Sequence, residues 1–319
     1  MATGRTPFDK VPASMTSPRI TVVMPTLNDE PLVEQAICSV LDQTYDDLEF
    51  IVVDRGSVDA TPEIIELYAG ELTHNMTTRR ASVAIAVNTA LQCATGDLIA
   101  VLDPAGLYLP QALDTVARTW RQTPTSPWLA GHVELTHPDG APICRQNAGP
   151  PASLTQFLMH DHRYGPFASH FLARRVFDTL GGFDTGLHHS YDYEFQCRLL
   201  SADVSPTVVP GIPLAAYRQP TTTDNPYTTL ARGLENIATA RRYANTAPIQ
   251  DRLRLWRNLD LRHRIFVLAE AEINATAATG LLRRHAMRHP WWLASSGYRR
   301  ALLHGCEHPV PKTGVKPAA

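Results

Sequence analysis

Three short apolar runs, each ended by a polar turn, constrain the fold of this 319-residue chain more than any other feature. Ile20 to Met24 (ITVVM) stops at Pro25. Phe50 to Val53 (FIVV) stops at Asp54-Arg55-Gly56-Ser57, and Leu98 to Leu102 (LIAVL) stops at Asp103. Continuous rather than alternating apolar residues over so few positions fit strands covered on both faces, as in parallel sheets. After the first run, Pro31 to Leu41 sets Leu32, Ala36, Ile37, Val40 and Leu41 on one helical stripe, with Pro31 suited to the first turn. A helix is also predicted from Thr61-Pro62 through Glu63, Ile64, Ile65 and Leu67. Strand, turn and helix in alternation predict an α/β fold with a mostly parallel sheet flanked by helices. Ligands of such sheets bind beyond the carboxyl ends of the strands, where Pro25, Thr26, Asn28, Asp54 and Asp103 fall.

The texture changes near Tyr227. Segments 228–246, 250–276 and 278–304 contain apolar residues at helical spacing and no strand-like run. This predicts a flexible arm over 1–18, an α/β domain over 19–226, a helical region over 227–304 and a flexible tail over 305–319. From residue 228 onward 15 Lys and Arg face 6 Asp and Glu, a net +9, whereas the preceding residues carry −11. The total of −2 argues against general nucleic-acid binding. No apolar run approaches the roughly 18 to 20 residues that cross a bilayer. Cys38, Cys93, Cys144, Cys197 and Cys306 have no short paired spacing and read as reduced thiols. With no apolar leader in the first 18 residues, the expectation is a cytoplasmic protein, placed at the inner face of the membrane if its basic half meets lipid. Arg252, Arg254, Arg257 and the later arginines interleave with Trp256, Trp291, Trp292 and Tyr298. They form either a face for anionic headgroups, with Trp291-Trp292 as an interfacial anchor, or helices packed on the sheet or on a second copy.

The residues joining these elements resemble a known family. ITVVMPTLNDEPLVEQAICSVLDQTYDDLEFIVVDRGSVDAT is similar to the first strand, Pro-Thr-x-Asn turn, Ser-Val-x-x-Gln-Thr-Tyr helix and second strand of the inverting family 2 glycosyltransferases. NTALQCATGDLIAVLDPAGLYLPQAL resembles the flanks of that family's metal-binding motif through Ala94-Thr95-Gly96-Asp97 and Leu107-Tyr108-Leu109-Pro110. FLARRVFDTLGGFDTGLHHSYDYEFQCRLL and then Leu214-Ala215-Ala216-Tyr217-Arg218 complete the series, in family order, over about 19–222. The resemblance implies a GT-A fold that moves a sugar from a nucleotide-sugar donor to a hydroxyl of a glycan or lipid-linked acceptor, in cell-surface polysaccharide synthesis. It places Asp192 as the catalytic base and Pro25, Thr26, Asn28, Asp54, Arg55 and Asp103 along the donor. Glu194 orients the acceptor or a helix end, and His189 or His188 contacts a sugar hydroxyl. Mg²⁺ or Mn²⁺ on the diphosphate is implied, with Asp103 as a partial metal site.

Departures from the family pattern gather on the donor side. Asp103-Pro104-Ala105-Gly106 keeps one carboxylate where the family has two, as Asp-x-Asp or Asn-x-Asp-Asp. Arg55 replaces a carboxylate that accepts the N3–H of uracil, and an arginine only donates. It faces another base or a phosphate, or it is solvated. Val83 to Val87 replaces a charged residue, and Pro220 stands where many relatives have a histidine. A non-catalytic GT-A homologue, serving as a binding or scaffolding subunit of a glycosyltransferase complex, is therefore the second reading. Asp192 also has the simpler reading of a helix cap, since FQCRLL follows. Arg174-Arg175 meets an anion or is a solvated pair. His160 and His162 alternate as on an extended segment and, with His170, His188 and His189, outline a metal cluster for which no further ligand has zinc spacing. A nucleotidyltransferase-like fold lacks its Gly- and Lys-rich loop here.

Overall fold

Parallel strands need a crossover between them, and the helices after the apolar runs supply it. The computed structural model describes residues 17–149, 153–160, 166–219, 226–273 and 278–304. The chain divides into two units, Met1–Thr221 and Thr222–Ala319. The first begins with β1 (Ile20–Thr26), α1 (Glu30–Leu41), β2 (Leu48–Asp54), α2 (Thr61–Leu67), β3 (His74–Thr77), α3 (Val83–Leu91) and β4 (Leu98–Val101). It continues through β5 (Gly106–Tyr108), α4 (Ala112–Gln122), β6 (Trp128–Ala130), β7 (Val133–Thr136), β8 (Pro142–Gln146) and α5 (Leu154–His160). It ends with β9 (His170–Ala173), α6 (Arg174–Leu180), α7 (Tyr191–Ser201), β10 (Thr207–Val208) and β11 (Ala215–Arg218).

A seven-stranded sheet runs in the order β10-β6-β9-β4-β1-β2-β3, and a smaller one in the order β5-β11-β7-β8. β1 lies between β2 and β4 and is parallel to both, with Thr26 opposite Asp54 and Val23 opposite Val101. Every residue of β1 and β4 is buried, which accounts for their unbroken apolar character. β9 enters antiparallel between β4 and β6, so the sheet is mixed. β1 also continues through Pro25, whose missing N–H costs the ladder one donor near its end. The buried face of α1 is Val33, Ala36, Ile37 and Val40; it keeps Ala36, Ile37 and Val40 of the predicted stripe and adds Val33, while Leu32 and Leu41 are only half-buried. Val83 to Val87 opens α3, where the Ser82 hydroxyl caps by accepting the Ile85 N–H at 3.3 Å.

A buried carboxylate ties the other end of these strands together. Glu49 of β2 accepts the Thr95 N–H at 2.7 Å, the Thr95 hydroxyl at 2.8 Å and the Thr21 hydroxyl of β1. The Thr21 oxygen in turn accepts the Gly96 N–H at 3.0 Å. Position 96 admits no side chain, because a Cβ would stand 2.4 Å from that oxygen. Burial opposes ionisation of Glu49, but the hydrogen bonds from Thr21, Thr95 and Gly96 outweigh it and hold the carboxyl below its ordinary value. Arg174 Nε donates to the Gly96 carbonyl at 2.9 Å and its guanidinium also reaches the Ala94 carbonyl. Arg175 donates to the Pro124 and Thr125 carbonyls at 3.2 and 3.0 Å and lies over the Trp120 ring. Both arginines therefore brace loops, a role outside the two expected for them.

Other expectations are corrected. His160 ends helix α5 rather than lying in an extended segment, and Asp161, His162 and Pro220 fall outside the described residues. His170 is buried in β9, where it accepts the Trp128 indole N–H at 3.1 Å.

The second unit contains α8 (Pro226–Ala244), α9 (Ile249–Ile273), α10 (Ala278–Arg288) and α11 (Ser296–His304), with a short 3₁₀ turn over Pro290–Ala294. Pro290 interrupts what the spacing alone read as one helical segment. Val267, Ala271, Leu282, Trp292 and Tyr298 form its core. Trp292 is thus a core residue and no interfacial anchor, while Trp291 is 58% exposed. Among the described residues no helix is long and apolar enough to cross a membrane. Cys38, Cys93, Cys144 and Cys197 are not in disulfides.

Glu49→Gln should destabilise the fold by about 1–3 kcal/mol, because it sets an amide donor among donors. A lower urea midpoint would register the loss. Since the folded-state pKa lies below the ordinary 4.5, the Glu49 contribution is complete above that pH and is lost as pH falls through the depressed value. The variant should therefore show a shallower acid-induced loss of stability than the parent protein.

Candidate active site

Parallel register sets the carboxyl ends of β4, β1 and β2 side by side at about 4.8 Å per strand. Thr26 closes β1, Asp54 closes β2, and Asp103 follows β4 by two residues. The Arg55 N–H donates to the Thr26 carbonyl at 2.9 Å, so β1 and β2 stay joined into the turn. Asp54 is only 5% exposed and accepts the Ser57 hydroxyl at 2.6 Å and the Ser57 N–H at 3.1 Å. Gly56 makes that turn possible with φ +95°, a region that side chains with a Cβ rarely enter.

Asn28 stitches this turn to the end of β1. Its N–H donates to the Ser57 oxygen at 2.9 Å, and its Oδ1 accepts the Val58 N–H at 2.9 Å. Its φ of 55° is left-handed, which asparagine tolerates better than most residues. Asp29, which the motif reading passed over, accepts the Thr26 hydroxyl and the Leu27 N–H, both at 2.8 Å. Burial raises the Asp29 pKa, although those bonds and nearby Arg55 act against it.

Arg55 is half-buried, and its Nε donates to the Ala81 carbonyl at 2.9 Å. Burial lowers the pKa of its guanidinium from the ordinary value, and Asp29 and Tyr191 partly offset this. The simple solvated reading of Arg55 is therefore set aside. Tyr191 is the first residue of α7, so the helix that carries Asp192 starts within electrostatic reach of this guanidinium.

Asp192 sits within the first turn of α7, with Ser190 in the N-cap position. Its Oδ1 accepts the Tyr193 N–H at 2.9 Å, one of the amides a helix start leaves without an intrahelical partner. The carboxylate is half-exposed and so is held in place without being enclosed. Glu194 is 4% exposed and pairs with Arg198, whose guanidinium donates to the Leu180 and Gly182 carbonyls at 2.9 and 2.7 Å. Through that pair Glu194 orients the loop entering α7. Asn88 holds the same loop, accepting the Phe183 N–H and donating to its carbonyl, both at 2.8 Å. His189 is half-buried beside His188, three residues before Asp192.

Asp103 is held by a residue that the sequence placed far away. Its Oδ2 accepts the Tyr217 hydroxyl at 3.1 Å, and its Oδ1 accepts the Ala105 N–H at 3.1 Å. Tyr217 stands opposite Gly106 in the antiparallel pairing of β11 with β5. The Ser39 oxygen of α1 accepts the Tyr108 N–H at 3.1 Å, and the Gln43 side chain bonds the Leu109 carbonyl at 3.1 Å and the Leu113 N–H at 3.3 Å. The Ser-Val-x-x-Gln motif thus braces the segment after Asp103. A divalent cation fits this arrangement only in a sparse form. Mg²⁺ accepts one or two carboxylates completed by water and phosphate oxygens, and Asp103 is the carboxylate that Asp103-Pro104-Ala105-Gly106 offers.

Residues 21–175 match the model of glycosyl transferase family 2. The match ends before α7, so Asp192 lies beyond it. A putative glycosyltransferase, EpsE, of Bacillus subtilis is 35% identical over 103 residues, covering 30% of this chain and 36% of its own length. The chondroitin synthase of Pasteurella multocida is 25% identical over 186 residues, covering 57% of this chain and 19% of that protein. The chain therefore spans well under half of these curated relatives. Among solved structures, S. aureus TarS 1-349 in complex with UDP-GlcNAc superposes with TM-score 0.59 at 15% identity, covering 88% of this chain and 77% of that one. The mannosyltransferase PcManGT of Pyrobaculum calidifontis, in complex with GDP-Man and Mn²⁺, gives TM-score 0.55 at 22% identity, covering 94% and 87%. The fold is GT-A: a mixed, largely parallel α/β sheet flanked by helices, with helices following it.

Asn28→Ala should lose both loop-to-loop contacts and the tolerance of left-handed backbone, at a cost of about 1–2 kcal/mol. Hydrogen exchange should then quicken at the Val58 amide while the β1 amides keep their protection.

Proposed function

We propose that this protein transfers a sugar, with inversion, from a nucleotide-sugar donor to a hydroxyl of a glycan or lipid-linked acceptor in cell-surface polysaccharide synthesis. The observation that carries the reading is the convergence at Arg55. Its guanidinium is within electrostatic reach of Asp29 at the strand edge and of Tyr191 at the start of the Asp192 helix. The family 2 segment and GT-A fold support a transferase, and the polysaccharide setting has support from a relative named chondroitin synthase.

In this mechanism the acceptor oxygen attacks C1 of the sugar as the bond from C1 to the diphosphate breaks. The acceptor proton passes to the Asp192 carboxylate, and the nucleoside diphosphate departs with the bonding pair. The Tyr193 N–H and the Glu194–Arg198 pair position that carboxylate, and His189 is the side chain proposed to meet an acceptor hydroxyl. Pro25, Thr26, Asn28 and Asp54 shape the donor edge. Arg55 donates to a phosphate or to the acceptor edge of a base. Mg²⁺ or Mn²⁺, when bound, would neutralise the diphosphate, and Asp103 is the residue to hold it.

The second reading, a non-catalytic binding or scaffolding subunit, draws on one observation: both Asp103 oxygens already accept hydrogen bonds, and Pro104 and Ala105 bring no further carboxylate. Calorimetry with UDP-, dTDP- and GDP-sugars, each with and without Mn²⁺, separates the two. Binding of one donor is expected, and silence from folded protein across the panel would favour the scaffold. For the donor that binds, Asp192→Asn should lower kcat by about 10²–10⁴-fold and leave donor affinity unchanged. Near-normal turnover in that variant would remove Asp192 from the role of base.

A further inference from the structure

Three histidines of the helical unit come together although the sequence separates them. His263 lies on α9, His285 on α10, and His289 one helical turn later, just after α10 ends. One ligand atom from each lies within 4.8 Å of the others. Their rings crowd around Trp292: His289 stacks on it at 4.5 Å, His285 lies parallel to it at 5.7 Å, and His263 meets it edge-on at 5.2 Å. Aromatic packing alone accounts poorly for the imidazoles, because the Nδ1 atoms of His285 and His289 are buried without a hydrogen-bond partner. Burying such atoms costs free energy that a carbon ring in the same place would not.

We propose that His263, His285 and His289 bind a transition-metal ion of the zinc class, which clips α9 to α10 and to the turn after it. Tetrahedral zinc with nitrogen ligands at about 2.0–2.1 Å sets those atoms roughly 3.3 Å apart, so rotations that close the trio by an ångström or so complete the set. A carboxylate stands behind the site. Asp260 accepts the indole N–H groups of Trp291 and Trp292 at 3.0 and 2.8 Å, and its Oδ1 lies 3.7 Å from His289 Nδ1. Such a carboxylate orients a ligating imidazole or provides a fourth ligand. Burial first, and then neighbouring cations such as Arg241, push the His263 pKa down to about 4, and burial also lowers those of His285 and His289. Burial thus favours the neutral imidazole, and a metal ion takes that form as ligand. Arg241 donates to His263 Nδ1 at 3.1 Å, so metal bound at that atom displaces the guanidinium, and metal bound at the other ring nitrogen leaves it in place.

The test uses the full chain, stripped with chelator and titrated with Co²⁺ and with Zn²⁺. One equivalent of Co²⁺ should develop the visible d–d bands of a tetrahedral site, and Zn²⁺ in excess should raise Tm by about 5 °C or more. Both effects should disappear in His285→Gln and in His289→Gln and persist in Asp103→Asn, which separates this site from any cation at the donor. The proposal is overturned if the parent chain shows neither bands nor a Tm rise, if folded glutamine variants retain both, or if Asp103→Asn removes them. Should the glutamine variants lose their helical circular dichroism, the parent and Asp103→Asn titrations decide the matter alone.

Discussion

Everything in the first unit depends on β1 being paired in parallel with two neighbours at once. Parallel strands all end at the same edge, so the turns after β1, β2 and β4 open together, and Thr26, Asp54 and Asp103 come level although 77 residues separate the first from the last. Such an edge also has polar groups that no strand can satisfy. Asn28, Asp29, Ser57 and the Asp54 carboxylate satisfy one another there, building a rigid rim before any ligand is present. The rim is one wall. A later element adds to it, since Tyr217 of β11 donates to Asp103, and the proposed base Asp192 belongs to another, α7.

The motifs that resemble family 2 divide by what surrounds them. Ser39 and Gln43 are turned toward the backbone after Asp103, and Thr95, Gly96 and Arg174 surround Glu49 and its strand neighbours. These residues satisfy buried donors and acceptors, which tolerate few substitutes because an unpaired buried polar group costs more than its hydrogen bond contributes. Arg55 and Asp192, by contrast, are half-exposed, and the roles proposed for them are toward a ligand. Glu194 shows that neighbours in sequence need not share a role: two residues past Asp192, it is turned inward to Arg198.

From residue 228 onward the chain is net positive, and the core of the helical unit sets two aromatic rings among small and aliphatic side chains. Trp292 and Tyr298 are buried with Leu282 and Val267, so the tryptophan pair that reads as a membrane anchor is split, one ring inside and one outside. Around Trp292 the imidazoles of His263, His285 and His289 bring nitrogen into that core and set the unit apart from a plain helical packing module.

By itself the sequence determined which segments become β1, β2, β4, α1 and α2, because continuous apolar runs and helical stripes are local patterns and burial rewards them wherever they pack. It also determined that the candidate donor residues fall at strand ends. Only the tertiary structure decided that β9 inserts antiparallel, that Arg55 Nε reaches the Ala81 carbonyl, that Tyr217 reaches Asp103, and that Arg174 and Arg175 brace loops. The histidine trio shows the divide within one feature. The four-residue step from His285 to His289 is visible in the sequence, but His263 lies 22 residues before His285 and carries no local sign of joining them. Periodicity reports which face of an element is apolar. Which polar side chain meets which is set by the approach of distant elements, and that depends on the packing of the whole unit.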